Sequence, residues 1–191
     1  MHNENLHDSS SDTINGIIDE KIEQLVNEAS LIISSYWVWT DNANQSIRSA
    51  KEQAKKRGDT DDILKRRYSN IGPRIEKSKT TYGSRETNKP RLVWCFYPNE
   101  PIRRRAGKSA NGVKFTQFAT RIKMSNNSEY SVSTLLKYGV GWNAQKIIET
   151  EKKLMPIREQ IEALHKARVT ISKVPKRINR IAKKYEEYNH A

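Results

Sequence analysis

The sequence has little cysteine and no long apolar stretch. Cys95 is the single cysteine, so an intramolecular disulfide, and with it a disulfide-stapled secreted scaffold, is excluded. The longest apolar clusters, at 31–33 and 36–39, are far shorter than a membrane span requires. Residues 1–12 carry acids and asparagines without a cationic start or an apolar core, so no signal peptide is visible. These absences predict a cytoplasmic protein with no membrane partner.

Sequence features that commonly mark a catalytic centre are sparse as well. The four histidines are scattered and, with one cysteine, give no zinc-binding spacing. Residues 107–109 (Gly-Lys-Ser) match half of a phosphate-binding NTPase loop, but the glycine that the motif needs at position 102 is an isoleucine. No nucleophile with an evident base emerges. We therefore expect a non-enzymatic protein with no catalytic residue, no metal site and no cofactor.

Positive charge is what the sequence has in excess. The net charge is +13 and the isoelectric point is about 9.8. The charge is uneven, because residues 1–47 carry eight acids and one lysine, whereas residues 48–137 carry 22 basic and 8 acidic side chains. A basic centre of this kind is typical of proteins that bind polyanions, and the acidic amino-terminal part would repel phosphates.

The amino-terminal region shows the periodicity of an amphipathic helix. Its apolar residues recur at three- and four-residue spacing, which predicts one buried stripe from about residue 13. The stripe consists of Ile14, Ile18, Ile22, Leu25, Ala29, Ile32, Ile33 and Tyr36. A polar helical stretch over 42–57 follows and can continue this helix as far as Gly58. The composition of residues 1–12 predicts a disordered tail.

Strand-forming residues are concentrated in the middle of the chain. Residues 91–97 are β-branched and aromatic, residues 113–124 alternate in part between apolar and polar, and residues 130–134 are a third candidate. These segments predict a small antiparallel sheet. Residues 80–90 are rich in polar and turn-forming types and predict a flexible connection.

The carboxy-terminal region predicts two further helices. An apolar seam with steps of three and four runs through 147–171, and Pro156 inside it should bend or restart the helix. Pro175 fits the first position of another helix, whose seam runs from Val174 to Tyr188. Two seams joined by a short turn predict an antiparallel helical hairpin. The expected fold is therefore α+β, with a tail at 1–12, a DNA-binding α+β domain at 13–174 and a basic helix at 175–191 that packs on the preceding helix.

The loop between the first two predicted strands is the sharpest candidate site. It carries Arg103, Arg104, Arg105 and Lys108, and guanidinium groups match phosphate oxygens in geometry. The alternative is a solvated loop whose charges prevent aggregation between sheet edges. Other cations extend the same predicted DNA-binding surface, namely Lys114, Arg121, Lys123, Arg66, Arg67 and Arg74.

Other functions stay open at this point. Trp94, Phe96 and Tyr97 would suit an RNA-binding module if they stack on bases, although such aromatics are more often buried in a core. A metal-dependent nuclease would need Asp61, Asp62 and Glu76, whose spacing is loose. A transcriptional regulator, or an adaptor that binds an acidic protein, is also compatible with the charge.

One stretch of the carboxy-terminal helix resembles a known family. Residues 149–151 (Glu-Thr-Glu), residues 156–164 (Pro-Ile-Arg-Glu-Gln-Ile-Glu-Ala-Leu) and Lys166-x-Arg168 are similar to the last helix of MobI-type conjugative transfer proteins. The layout before it, over about residues 14–170, is similar too. The resemblance implies an accessory factor that binds double-stranded DNA at the origin of transfer, beside a relaxase that nicks it. The helical seams also suit a homodimer on a repeated or palindromic site.

Overall fold

Two long helices and a small antiparallel sheet form most of the protein, which confirms the α+β class. The computed structural model describes residues 4–58, 62–82, 85–98, 102–103, 116–117, 119–126 and 128–189. In chain order the elements are α1 (Glu4–Arg57), α2 (Asp62–Lys65), β1 (Ile71–Tyr82), β2 (Arg85–Phe96), β3 (Ile102–Arg103), β4 (Thr116–Gln117), β5 (Thr120–Arg121), α3 (Val132–Tyr138), a 3-10 turn (Gly141–Asn143) and α4 (Ala144–Asn189).

Helix α1 follows the predicted apolar stripe. The stripe from Ile18 to Tyr36 is largely buried, whereas Ile14 remains 44% exposed. The helix continues through 42–57, as expected, and ends at Gly58, whose φ of 75° suits a helix terminus. At the other end, α1 begins at Glu4 and so includes residues 4–12, for which the composition predicted a disordered tail. Acidic residues near the amino end of a helix stabilise it through a favourable interaction with the helix dipole, and the sequence of this segment is acidic.

The sheet is antiparallel in the order β1-β2-β5. Strand β1 pairs with β2 from Ile71↔Phe96 to Tyr82↔Arg85, and β2 pairs with β5 at Cys95 and Phe96. The predicted strand at 91–97 is thus the paired end of β2, and the predicted pairing with the 113–124 segment is found at β5. Strand β1 was not predicted. The connection expected over 80–90 is part of the β1–β2 hairpin in its described residues.

The third predicted strand, at 130–134, is wrong. Tyr130 precedes a short helix, α3, which begins at Val132. Tyr130 is buried without strand pairing because side chains satisfy its polar groups. The Trp94 backbone N–H donates to the Tyr130 hydroxyl at 3.0 Å, and the Tyr130 backbone N–H donates to the Glu151 carboxylate at 3.2 Å.

The predicted helical hairpin is also wrong, because α4 is one continuous helix from Ala144 to Asn189 that contains both Pro156 and Pro175. Each proline removes one backbone hydrogen bond, and the helix continues past it. Pro156 is exposed, and Pro175 lies in a segment with exposed neighbours, so water can satisfy the carbonyl freed by each. The basic segment 175–189 therefore extends α4 and does not fold back on it.

Helices α1 and α4 run antiparallel and cover one face of the sheet. The Lys146 ammonium lies 5.7 Å from a Trp39 ring centroid near one end, and Arg168 forms an ion pair with Asp19 towards the other. Two apolar clusters fill the space between the helices and the sheet. Their buried members are Leu25, Ala29, Ile33, Leu92, Leu154, Ile157 and Ile161 in one, and Tyr36, Ile71, Trp94, Ile122, Tyr130, Leu135 and Ile147 in the other.

Candidate nucleic-acid interface

The sheet presents charged side chains on the face opposite the helices. Successive strand residues point to opposite faces, and Ile71, Leu92 and Trp94 belong to the helix-facing clusters. The alternate residues therefore lie on the other face, which we call the outer face. Its charged members are Arg74 and Glu76 on β1, Arg91 on β2 and Arg121 on β5.

Trp37 of α1 packs against the β1 edge of the sheet, next to these residues. Its indole N–H donates to the Pro73 carbonyl at 3.0 Å. Pro73 lies on β1, an edge strand, where a residue without a backbone N–H is tolerated. The Trp37 ring lies so close to Gly72 that an added Cβ would stand 2.2 Å from Cζ2. A glycine is thus required at position 72 for Trp37 to reach over the edge and pack edge-to-face on Tyr97 at 5.3 Å.

Two of the predicted DNA-binding residues converge on one carboxylate of the outer face. Arg74 Nε donates to Glu76 Oε1 at 2.9 Å, and Arg121 donates to the other oxygen of the same group. The Glu76 side chain is only 16% exposed, whereas those of Arg74 and Arg121 are 43% and 48% exposed. The cluster keeps one net positive charge. Each guanidinium has five N–H donors, so donors remain for a phosphate after the carboxylate is bound.

A cleft of about 530 Å³ lies along β2, next to the short stretch where β5 pairs with it. Arg91 and Lys123 line it with exposed cations, and Ser125 and Asn126 add polar groups. At one end the Lys89 ammonium donates to Glu162 at 2.6 Å, and this hydrogen bond lowers the pKa of the Glu162 carboxyl. The cleft thus has two exposed cations, Arg91 and Lys123, and one ion pair, Lys89–Glu162, whose charges cancel.

The floor of the cleft rests on a buried ionic network. Glu151 and Arg158 form an ion pair with both side chains about 95% buried. The Trp94 indole N–H donates to Glu151 at 2.8 Å, and the Arg158 guanidinium stacks 5.1 Å from the Tyr130 ring centroid. Burial raises the pKa of the Tyr130 hydroxyl. Every member of this network already has protein partners, so we assign it to support of the sheet.

Arg66 and Arg67 lie on the segment between α2 and β1, and both side chains are exposed. The backbone of this segment is fixed from two sides. The Ser69 N–H donates to the Asn44 side chain at 2.8 Å, and the Trp142 indole N–H donates to the Arg67 carbonyl at 3.0 Å. The segment therefore holds two cations on a rigid backbone.

The predicted basic loop is described only in part. Arg103 lies in β3, whose backbone pairs with β4 at Thr116. The predicted residues Arg104, Arg105, Lys108 and Lys114 lie outside the described residues, so their assignment stays a prediction.

The residues named for the rival functions have structural partners. Trp94 is fully buried and Tyr97 packs on Trp37, so neither indole nor phenol forms an open stacking platform. Asp62 pairs with Lys65 at 3.1 Å, and Glu76 holds two arginines. Asp61 lies outside the described residues. Within the part of the chain that the structure describes, no three His, Cys, Asp or Glu side chains come together as a metal site.

One exposed cation of the interface was missed in the sequence. Arg91 begins the predicted strand at 91–97 and faces away from the core, next to buried Leu92. Strand alternation alone would have placed it on the outer face. No helix in the described residues is apolar enough over a sufficient length to cross a bilayer.

A comparison with protein-family models gives a match over most of the chain. A family model described as MobI protein matches residues 25–172, which is more than half of the chain. The matched range includes the core part of α1, the sheet and the anchored part of α4. No curated protein and no solved structure matches the chain. The chain belongs to the MobI family, and this membership indicates a role in conjugative mobilisation.

Proposed function

We propose that this MobI-family chain is a non-enzymatic accessory factor that binds duplex DNA at the origin of transfer. In this role it assists a relaxase in the initiation of conjugative transfer. The observation that carries the proposal is the set of exposed cations on and beside the sheet. Arg91, Arg74 and Arg121 lie on its strands, and Lys123 follows β5 at the cleft. Cations held on a sheet lose less conformational freedom when they bind phosphates than cations on a mobile chain.

The arrangement of the aromatic residues favours duplex over single-stranded nucleic acid. Proteins that bind single strands stack bases on exposed aromatic rings. Trp94, the central aromatic of β2, is buried, and its indole N–H is bonded to Glu151. An RNA-binding module would have to find its stacking residues elsewhere in the chain. Phosphate contacts from arginine and lysine side chains are the interactions that this surface supports.

The first experiment is a salt titration of binding to duplex DNA, single-stranded DNA and RNA. We expect the duplex to bind most tightly, with an affinity that falls steeply as salt rises, because each neutralised phosphate releases counterions. The test variant is Arg91→Gln/Lys123→Gln, which removes two exposed charges that contact no described carboxylate. The control is Lys152→Gln/Lys153→Gln, which removes the same charge from exposed positions on α4.

The two variants separate a local contact from a general charge effect. If Arg91 and Lys123 touch phosphates, the slope of log K against log salt should become shallower by about 2 in the test variant and change little in the control. If both variants show the same slope of log K against log salt, Arg91 and Lys123 do not contact phosphates and the interface lies elsewhere. No binding of the wild-type chain to any nucleic acid at low salt would overturn the proposal.

The predicted basic loop is tested in the same assay. Replacement of Arg103, Arg104 and Arg105 by alanine should also flatten the salt dependence if the loop contacts DNA. Specificity is tested separately, with a fragment that holds the origin of transfer against a fragment of scrambled sequence. A relaxase nicking assay with and without this chain then tests the accessory role, and cleavage by the chain alone with Mg²⁺ or Mn²⁺ would contradict it.

A further inference from the structure

The carboxyl-terminal part of α4 carries a dense set of cations that the interface on the sheet does not include. We call them the basic stripe: Lys173, Lys176, Arg177, Arg180, Lys183 and Lys184. All six are exposed. The sequence has no acid between Glu162 and Glu186, so the first four of these cations have no carboxylate within one helical turn. Glu186 and Glu187 follow Lys183 and Lys184 at a spacing of two to four residues. The stripe is the longest acid-free basic segment of any helix in the fold.

The stripe differs from the arginines of the fold that form ion pairs. Arg74, Arg121 and Arg158 each bind a carboxylate, and Arg168, one turn before the stripe, binds Asp19. Among the side chains that the structure describes, no acidic group pairs with any of the six. Their charges are therefore more available to a polyanion than those of Arg74 and Arg121, which share the Glu76 carboxylate.

The spacing places the six cations on one side of the helix. An α-helix advances about 100° per residue, so positions 173, 177, 180 and 184 fall within about 60° of each other and 176 and 183 within a further 60°. The apolar residues of the same segment, Val174, Ile178 and Tyr185, lie on the opposite side. The charged side spans about 17 Å along the axis at 1.5 Å per residue.

The first part of α4 fixes this segment in space. Ile147, Leu154, Ile157 and Ile161 of α4 belong to the core clusters. Arg168 is held by Asp19. From Ser172 onwards almost every side chain is exposed. The helix therefore projects beyond the core as a continuous extension of an anchored element. The family match ends at residue 172, so the stripe lies beyond the matched range.

We propose that the basic stripe enters the major groove of duplex DNA, where its cations contact phosphates along the groove. This inference rests on the proposed function and adds a second contact to the surface on the sheet. A helix of about 10–12 Å diameter fits the major groove, which is about 12 Å wide. Basic helices that continue from a folded or dimerised region use the same geometry. Arginine and lysine at this spacing reach phosphates from one face of the helix.

The test uses the full chain with four charges removed from the stripe. The variant is Lys173→Gln/Arg177→Gln/Arg180→Gln/Lys184→Gln, and the control is Lys55→Gln/Lys56→Gln/Lys152→Gln/Lys153→Gln, which removes equal charge from exposed helical positions. Glutamine keeps helix propensity, and circular dichroism verifies that the helix remains. We expect the stripe variant to lose at least about tenfold in duplex affinity, with a salt slope shallower by 3–4. The control should lose much less.

The position in the groove has its own readout. Methylation of guanine N7 blocks the major groove, and a minor-groove ligand blocks the opposite one. Weaker binding to the methylated duplex, without competition from the minor-groove ligand, supports the proposal, and the reverse pattern overturns it. If wild-type chain binds duplex DNA and the stripe variant behaves as the control does, this inference fails while the proposed function stands. If wild-type chain binds no DNA, both fail.

An anionic membrane is the other polyanion that a basic amphipathic helix can meet. The same variants are therefore measured on vesicles of phosphatidylserine and phosphatidylcholine. Stripe-dependent binding to vesicles, together with duplex binding that is independent of the stripe, would overturn the assignment to DNA.

Discussion

The two parts of α4 share one helix and one apolar seam, but they differ in what surrounds them. Ile157 and Ile178 stand three heptads apart on that seam, yet Ile157 is 2% exposed and Ile178 is 42% exposed. Arg158 is buried in an ion pair, whereas Arg180 is exposed and has no carboxylate partner among the described side chains. Periodicity thus sets which side of the helix faces inward. The packing partners decide whether a residue stabilises the fold or remains available to a ligand.

The largest expected effect comes from loss of the buried ion pair in the anchored part. Arg158→Met keeps much of the side-chain volume but leaves Glu151 buried without its cation. We expect a loss of about 3–5 kcal/mol in the free energy of unfolding, measured by urea titration. The double variant Glu151→Leu/Arg158→Met should regain part of this loss because no unpaired charge remains.

The matched change in the projecting part is Arg180→Met. Its effect on the free energy of unfolding should stay within about 0.5 kcal/mol, as for most exposed positions. A similar cost for Arg158→Met and Arg180→Met would mean that the two parts of α4 do not differ in the way that the packing indicates.

The two isoleucines of the seam give the next effect. Ile157→Ala removes buried methyl and methylene groups from the core between α1, β2 and α4, and such changes cost about 2–5 kcal/mol. Ile178→Ala removes the same atoms from a half-exposed site, and we expect less than about 1 kcal/mol. Chemical unfolding of both variants measures the difference directly. Equal losses would place residue 178 in a packed environment, either within the chain or in a dimer.

His165 distinguishes the anchored part by its response to pH. The side chain is 2% exposed, and neither ring nitrogen has a hydrogen-bond partner among the described residues. Burial, with contributions from Lys89 on β2 and Arg168 on α4, lowers the pKa of His165 to about 4. The carboxylates Glu162 and Asp19 oppose this shift and do not outweigh it. His165 is therefore neutral in the folded protein at neutral pH.

The sign of the pH effect follows from that lowered pKa. The unfolded chain takes up a proton near pH 6.5, and the folded chain does so only near pH 4, so stability is complete above about 6.5 and is lost as pH falls towards 4. The loss should amount to at most about 3 kcal/mol. Urea midpoints at pH 7.5 and 4.5 test this expectation. His165→Leu should weaken the pH dependence in this window, and an unchanged dependence would assign it to other groups.

The sequence predicted those parts of the fold in which local pattern and packing agree. The α1 stripe and the apolar half of β2 alternate or repeat with the correct period, and both are buried as expected. Strand β1 escaped prediction because Arg74, Glu76 and Lys77 mask the alternation of its buried side. The helical hairpin failed because proline was treated as a break, whereas exposed positions on α4 tolerate it.

The candidate site was less predictable for a physical reason. Arg121 and Glu76 are 45 positions apart, and only the register of β1, β2 and β5 brings them together. Their ion pair decides how much of the arginine charge remains free. The charge of the basic stripe, in contrast, depends on no distant partner and can be counted in the sequence. Its exposure was not predictable, because the expected hairpin would have packed this segment on the preceding helix, whereas α4 continues without a turn.

The smallest expected effect concerns the acidic start of α1. The contacts Trp39–Lys146 and Asp19–Arg168 fix an antiparallel register in which the paired residue numbers sum to 185 and 187. Both helices continue, so residues 4–12 of α1 run towards the part of α4 that holds the basic stripe. The sequence has Glu4, Asp8 and Asp12 in this segment, and we expect their negative charge to lower the positive potential that DNA meets there.

Neutralisation of these three acids tests that balance. Glu4→Gln/Asp8→Asn/Asp12→Asn should raise duplex affinity by roughly threefold to tenfold at low salt, and the gain should disappear as salt screens it. Glu20→Gln/Glu23→Gln/Glu28→Gln removes the same charge from exposed positions beside the anchored part of α4. A gain confined to the first variant means that the acids act locally on the stripe, because a general change in net charge would raise both equally. Equal gains in affinity would mean that the acids act only through net charge. The two parts of α4 would then differ in their packing and not in their electrostatic surroundings.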